Sequence, residues 1–163
     1  MSTRGRLEDY WTAVRRRGLW PPILTVLLVA ACVAVFYIGG EGADTGPWAL
    51  ALMYIPGPGQ AWYRSFSALV SHVSEGHLWI NTVMLIAVGT LFEVTEGPLH
   101  TACIIWGAGN LSLAFHGVFH PNVVVRGSSG AVYGIMFAQA NAWQACGRRV
   151  AAYVAGVSQR VAG

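Results

Sequence analysis

The chain has 163 residues, of which 55% are hydrophobic and 10% are charged, with a formal net charge of +3. Ten basic and seven acidic residues leave five long uncharged windows, at 18–40, 45–63, 76–92, 97–125 and 127–147. Because a helix needs about 20 apolar residues to cross a bilayer, this composition excludes an ordinary soluble globular protein. No basic stripe with interleaved aromatics is present, so nucleic acid is not an expected partner.

The N-terminal part of the chain predicts an arm followed by a first span and a long loop. Residues 1–18 hold five of the ten arginines and predict a basic arm at the membrane interface. The first span is predicted from Leu19 to Ile38, with two prolines in its first turn, where a missing N–H costs little. The next window is rich in glycine and proline, so residues 41–75 predict a partly apolar interfacial loop.

The remaining apolar windows predict three more spans and a short basic tail at 147–163. These spans run from His77 to Phe92, from Leu99 to Phe115 and from Ser128 to Ala145. Their connections are predicted at 93–98 and 117–127, so no charged residue falls inside a span. The predicted fold is an all-α membrane protein with four transmembrane helices, its bundle occupying residues 19–146.

The arginines also predict an orientation in the membrane. With the N-terminus on the cytoplasmic or matrix-like side, that side holds eight arginines and the opposite side holds only Arg64 and Arg126. This bias is typical of membrane proteins with a positive inner face. An organellar inner membrane and a plasma membrane both remain open.

Two polar motifs stand at predicted helix starts and are candidates for chemistry. His77 and Asn81 are four residues apart, which places both on one helical face; a pair of interhelical hydrogen bonders is the plainer interpretation. Ser129 lies in G-S-S-G at the start of the fourth span, where free backbone N–H groups and the helix dipole favour a developing oxyanion. Gly130 and Gly134 form a G-x-x-x-G that also predicts close helix packing.

The order of these motifs resembles the rhomboid intramembrane serine proteases. The stretch WYRSFSALVSHVSEGHLWINTVMLIAVGTLFE, at 62–93, is followed by GSSGAVYG at 127–134. The resemblance implies Ser129 as the nucleophile, His77 and Asn81 as oxyanion stabilisers together with the Ser129 backbone, and Tyr133 as the aromatic against which the basic histidine packs. It implies no metal and no organic cofactor.

Three other residues take expectations from the same resemblance. Trp62 and Arg64 would belong to the first loop, lying half in the membrane, although Tyr63 separates them here. Glu93, which closes G-x-x-x-E, would form structural hydrogen bonds.

The general base is the part of the pattern that this chain does not match. In the family it is a histidine on a sixth span, and here no histidine follows His120. His72 lies before the second span and could substitute only from a loop. His116 and His120 have the i, i+4 spacing of a metal pair, but no third ligand with suitable spacing is evident.

Two functions therefore follow as expectations. The first is a proteolytically inactive, rhomboid-like scaffold or accessory subunit, in which other membrane subunits of a larger complex cover the exposed faces of the bundle. The alternative is an active rhomboid protease that cleaves transmembrane substrates, with its histidine-bearing helices beyond Gly163. A channel or transporter has little support, because no ion-pathway pair is visible in the spans.

Overall fold

The computed structural model describes residues 20–39, 51–57, 61–142 and 144. The predicted arm at 1–18 and tail at 147–163 lie outside these residues. Five helices matter for the site, and they are α1, Ile23–Ile38; α2, Arg64–Ser67; α3, Glu75–Glu96; α4, Pro98–Phe119; and α5, residues 129–142. The described part of the chain holds no β-strand, only an isolated bridge between Tyr54 and Val125.

Within the described residues, two helices are long and apolar enough to cross a membrane, α3 and α4, with 22 residues each. At a rise of about 1.5 Å per residue, each spans about 33 Å, close to the thickness of a bilayer core. The 16-residue helix α1 is apolar but shorter. The all-helical character predicted from sequence is confirmed for the described residues, and the count of four spans stays a prediction.

The start of α1 differs from the predicted start at Leu19. The helix begins at Ile23, Pro22 is its N-cap, and both prolines precede its first turn. The N–H groups of Leu24 and Thr25 donate to the side chain of Glu93, at 2.8 Å and 2.7 Å. These N–H groups have no partner within the helix itself, so a carboxylate from α3 takes over the capping role.

The position of Glu93 corrects two expectations. It was predicted to begin the connection 93–98, and the spans were predicted to hold no charge, yet Glu93 lies inside α3 and is fully buried. The Glu93 side chain accepts a third hydrogen bond, from the Thr25 hydroxyl at 2.8 Å. The chain turns only at Gly97, whose φ of +88° suits glycine. A buried carboxylate is tolerated here because donors and the positive end of α1 surround it.

Helix α3 begins inside the predicted loop, which also contains α2. Ser74 is its N-cap, and the Ser74 hydroxyl accepts a hydrogen bond from the His77 N–H at 3.2 Å. Glu75 in the first turn is favoured by the helix dipole. Within α3, residues Leu85–Gly89 form a π-helical turn between Glu75–Met84 and Thr90–Glu96.

Helices α4 and α5 approach closely through small residues. A Cβ on Gly130 would lie 2.5 Å from the Ser112 Cβ, and one on Gly134 would lie 2.2 Å from the Ala108 Cβ. No real side chain fits at such distances, so the G-x-x-x-G motif packs here as predicted from its small residues. This contact fixes the direction of α5 and hence the position of its first turn.

Candidate functional site

Ser129 is the first residue of α5 and is half-buried. The preceding Gly127 has a φ of +120° and donates its N–H to the Ala68 carbonyl at 2.8 Å. The Ser128 carbonyl accepts from the Val132 N–H at 2.9 Å, so the helix is established from this residue onward. The first N–H groups of α5 have no intrahelical acceptor, which leaves them available beside the Ser129 side chain.

His77 and Asn81 lie one turn apart on α3. Asn81 is buried, and its Nδ2 donates to the His77 backbone carbonyl at 2.9 Å. Because a side-chain amide carries two N–H donors, this bond orients the group and leaves a second donor. His77 is half-buried, and its backbone N–H donates to the Ser74 hydroxyl.

The four residues predicted from sequence meet at one cavity. Its volume is about 230 Å³, and it lies between α3 and α5. The lining residues are His77, Ile80, Asn81, Met84, Ser129, Val132 and Tyr133. A hydroxyl at a helix N-terminus therefore shares a small, mostly apolar space with an imidazole and an amide. Such a space suits a nucleophile facing donors for an oxyanion.

The rim of this cavity is open at Tyr133. Its side chain is 70% exposed, so it lines the cavity from one side and is uncovered on the other. An aromatic ring in this position offers a flat surface beside Ser129. The residue that the resemblance implies for packing on Tyr133, a basic histidine, has no counterpart among the residues that the structure describes.

Gly127 packs directly against the imidazole of His77. A Cβ on Gly127 would lie 2.5 Å from His77 Cε1 and 3.0 Å from its Nε2. The loop before α5 therefore holds the His77 ring in place through the backbone of Gly127. Sequence reasoning treated Gly127 only as part of the motif around Ser129, and its pairing with His77 needs the tertiary structure.

His72 lies behind His77, in the turn before α3. The two rings meet edge to face with centroids 5.3 Å apart, and His72 is fully buried with its Nδ1 3.3 Å from the Val70 carbonyl. Burial, which has the largest effect, and the nearby His77 together lower the pKa of His72 to about 4. The hydrogen bond to the Val70 carbonyl acts in the opposite direction and raises this pKa. His72 is thus a neutral neighbour of His77 and does not line the cavity.

The other histidines lie away from the cavity. His116 and His120 pair with each other at the end of α4, with ring centroids 5.0 Å apart. His100 is exposed in the first turn of α4, where its Nδ1 lies 2.9 Å from the Glu96 carbonyl. Among the residues that the structure describes, His77 is therefore the only imidazole lining the cavity with Ser129.

The loop residues singled out in the sequence lie outside the cavity. Trp62 is 79% exposed just before α2, and its ring contacts those of Tyr63 and Phe66 edge to face. Arg64 opens α2 and is partly buried. Exposed aromatics of this kind are typical of the membrane interface. Glu93 forms the hydrogen bonds to α1 described above.

Comparison with known families identifies a match. The family model described as the rhomboid domain matches residues 59–153. The match covers more than half of the chain and includes α3, α4, α5 and the cavity between α3 and α5. A comparison with curated proteins finds no match.

Proposed function

Because the chain belongs to the rhomboid family, we propose that it carries the nucleophile and the oxyanion pocket of an intramembrane serine protease. In this proposal, Ser129 hydrolyses a peptide bond of a transmembrane substrate when a general base reaches its hydroxyl. The observation that carries the proposal is the shared cavity, in which Ser129, His77, Asn81 and Tyr133 meet from two different helices.

The chemistry follows from the groups around the cavity. Ser129 Oγ attacks the substrate carbonyl carbon, and the hydroxyl proton passes to a base. The carbonyl oxygen becomes an oxyanion, stabilised by the Ser129 backbone N–H, the His77 ring and the second N–H of Asn81. The intermediate collapses as the base returns that proton to the leaving amine nitrogen, and water then hydrolyses the acyl-serine and restores the Ser129 hydroxyl. Loss of one such oxyanion donor typically lowers the rate about 10²- to 10³-fold.

A second candidate, a scaffold without proteolytic activity, is favoured by a different observation. Among the described residues, the cavity holds no imidazole besides His77, and His77 is assigned to the oxyanion in this proposal. General-base help is worth about 10²- to 10⁴-fold in rate. The exposed rings of Tyr133 and Phe137, 70% and 73% exposed, would then contact lipid or another subunit of a membrane complex.

A fluorophosphonate probe, which reacts with activated serines, separates the two functions. If a general base reaches Ser129, the full chain is labelled in detergent micelles or in its native membrane, and the label is lost in Ser129→Ala and kept in Ser128→Ala. Ser128 is a matched control because it is adjacent, fully buried and not among the cavity-lining residues. Complete absence of labelling, also in the presence of the native membrane, would favour the scaffold.

Chemical rescue tests directly whether Ser129 lacks a general base. Free imidazole can enter an open cavity and accept the Ser129 proton. We expect millimolar imidazole to raise labelling of the wild-type chain and to leave Ser129→Ala unlabelled. In His77→Ala and Asn81→Ala, imidazole should restore far less labelling, since each variant lacks one of the three oxyanion donors. Equal rescue in all of these variants would contradict the assigned roles.

A further inference from the structure

The end of α4 carries a histidine pair that the proposed protease chemistry does not use. His116 lies in the last turn of the helix and His120 is its C-cap, four residues later on the same face. Their ring centroids are 5.0 Å apart, with 42° between the ring planes. The pair lies at the same end of the bundle as Ser129, because the loop after His120 leads into α5.

The spacing of the rings fits a shared metal ion. With metal–nitrogen bonds of about 2.0–2.1 Å, a coordinating imidazole centroid lies about 3.2 Å from the ion, so two rings at a tetrahedral angle stand about 5 Å apart. The observed 5.0 Å agrees with this separation. We infer that His116 and His120 form a two-histidine site for a divalent transition-metal ion such as Cu²⁺, Ni²⁺ or Zn²⁺.

The state of the two rings supports the inference. The Nε2 atom of His116 is covered and has no hydrogen-bond partner among the described residues. A buried nitrogen without a partner costs free energy, and a metal ion would supply that partner. His120 is exposed, so an ion can arrive from solvent.

The backbone holds the pair together without a metal. The His120 N–H donates to the His116 carbonyl at 2.7 Å, which closes the last turn of α4. The second ligand therefore binds at high effective concentration once the first has captured the ion. Imidazole ligands suit Cu²⁺, Ni²⁺ and Zn²⁺, whereas Mg²⁺ and Ca²⁺ prefer oxygen.

The described residues supply two ligands, His116 and His120, to this site. No group of three or more His, Cys, Asp or Glu side chains suited to a metal occurs among the described residues. A two-ligand site is selective mainly by intrinsic affinity, so binding should follow the order Cu²⁺ > Ni²⁺ > Mn²⁺. The other histidine pair, His72 and His77, is a poorer candidate because the Nδ1 of His72 already contacts the Val70 carbonyl.

The test uses the full, tag-free chain in detergent micelles, titrated with CuCl₂ and followed by electron paramagnetic resonance. We expect one Cu²⁺ per chain with two nitrogen ligands. His116→Ala and His120→Ala should each weaken binding about tenfold or more, because each leaves a single imidazole. His100→Ala is the matched control, since His100 is an exposed histidine in the first turn of the same helix.

The inference is overturned if either His116→Ala or His120→Ala keeps wild-type affinity, or if His100→Ala weakens binding as much as they do. A signal from a single nitrogen ligand would also overturn it. Because the measurement follows metal binding and not proteolysis, its result is independent of whether Ser129 is an active nucleophile.

Discussion

The backbone of Gly127 lies against the imidazole of His77, so close that a Cβ at position 127 would sit 2.5 Å from His77 Cε1. One residue supplies a turn into α5 and the other comes from the first turn of α3. The contact therefore couples the loop that presents Ser129 to the helix that presents its neighbours in the cavity. Its consequences can be measured.

Replacing Gly127 by alanine should damage both stability and the site. The φ of +120° is costly for any residue with a Cβ, by about 1–2 kcal/mol, and the methyl group would displace the His77 ring. We expect Gly127→Ala to lower the unfolding midpoint in micelles and to reduce fluorophosphonate labelling of Ser129. Gly76→Ala is the control, since a Cβ there meets no atom within 4 Å; equal effects of both changes would contradict the role of the contact.

Replacing Glu93 by glutamine should loosen α1 from α3. The Glu93 carboxylate accepts three hydrogen bonds, one from Leu24 and two from Thr25. The side-chain amide of glutamine would place its own N–H groups against one of these donors, so a hydrogen bond would be lost. The expected cost is about 1–3 kcal/mol of unfolding free energy, measured by thermal or denaturant unfolding followed by circular dichroism. Glu96→Gln, at an exposed position on the same helix, should change stability little.

Replacing Gly134 by alanine should separate α4 from α5. The new methyl group would lie 2.2 Å from the Ala108 Cβ, an overpacked contact that typically costs about 1–3 kcal/mol. The double variant Gly134→Ala/Ala108→Gly removes the clash and should regain part of the stability.

Gly107→Ala provides the comparison for that pair. A Cβ on Gly107 meets nothing within 4 Å, so this variant should be neutral or slightly stabilising. If Gly134→Ala is tolerated as well as Gly107→Ala, this result would contradict the close approach of α4 and α5.

Acidification should destabilise the chain through His72. Its pKa is about 4 in the folded chain, below the ordinary value of 6.5, so the unfolded chain binds the proton first as pH falls. The contribution of His72 to the free energy of unfolding is therefore fully present above about pH 6.5. It declines by about 3 kcal/mol as pH falls to 4. His72→Gln should flatten this slope in urea unfolding measured between pH 4 and 7. His100→Gln, at an exposed site, should retain it.

The boundaries of the helices show where sequence reasoning was limited. The uncharged windows located α1, α3 and α4 because span length and apolarity are local properties. Charge was a poor guide to where α3 ends, since Glu93 was placed in a connection although it is buried within the helix. Its partners are on α1, 68 and 69 positions away, and no local pattern indicates such a pairing.

The sequence alone determined the membrane class, the apolar helices and the polar residues at the starts of α3 and α5. Composition and short spacings are local properties, so they can be read directly from the chain. Only the tertiary structure decided that Ser129, His77, Asn81 and Tyr133 share one cavity. It also decided that Gly127 holds His77 and that His72 is buried behind it. These relationships depend on how α3, α4 and α5 pack, and packing joins residues that are far apart along the chain.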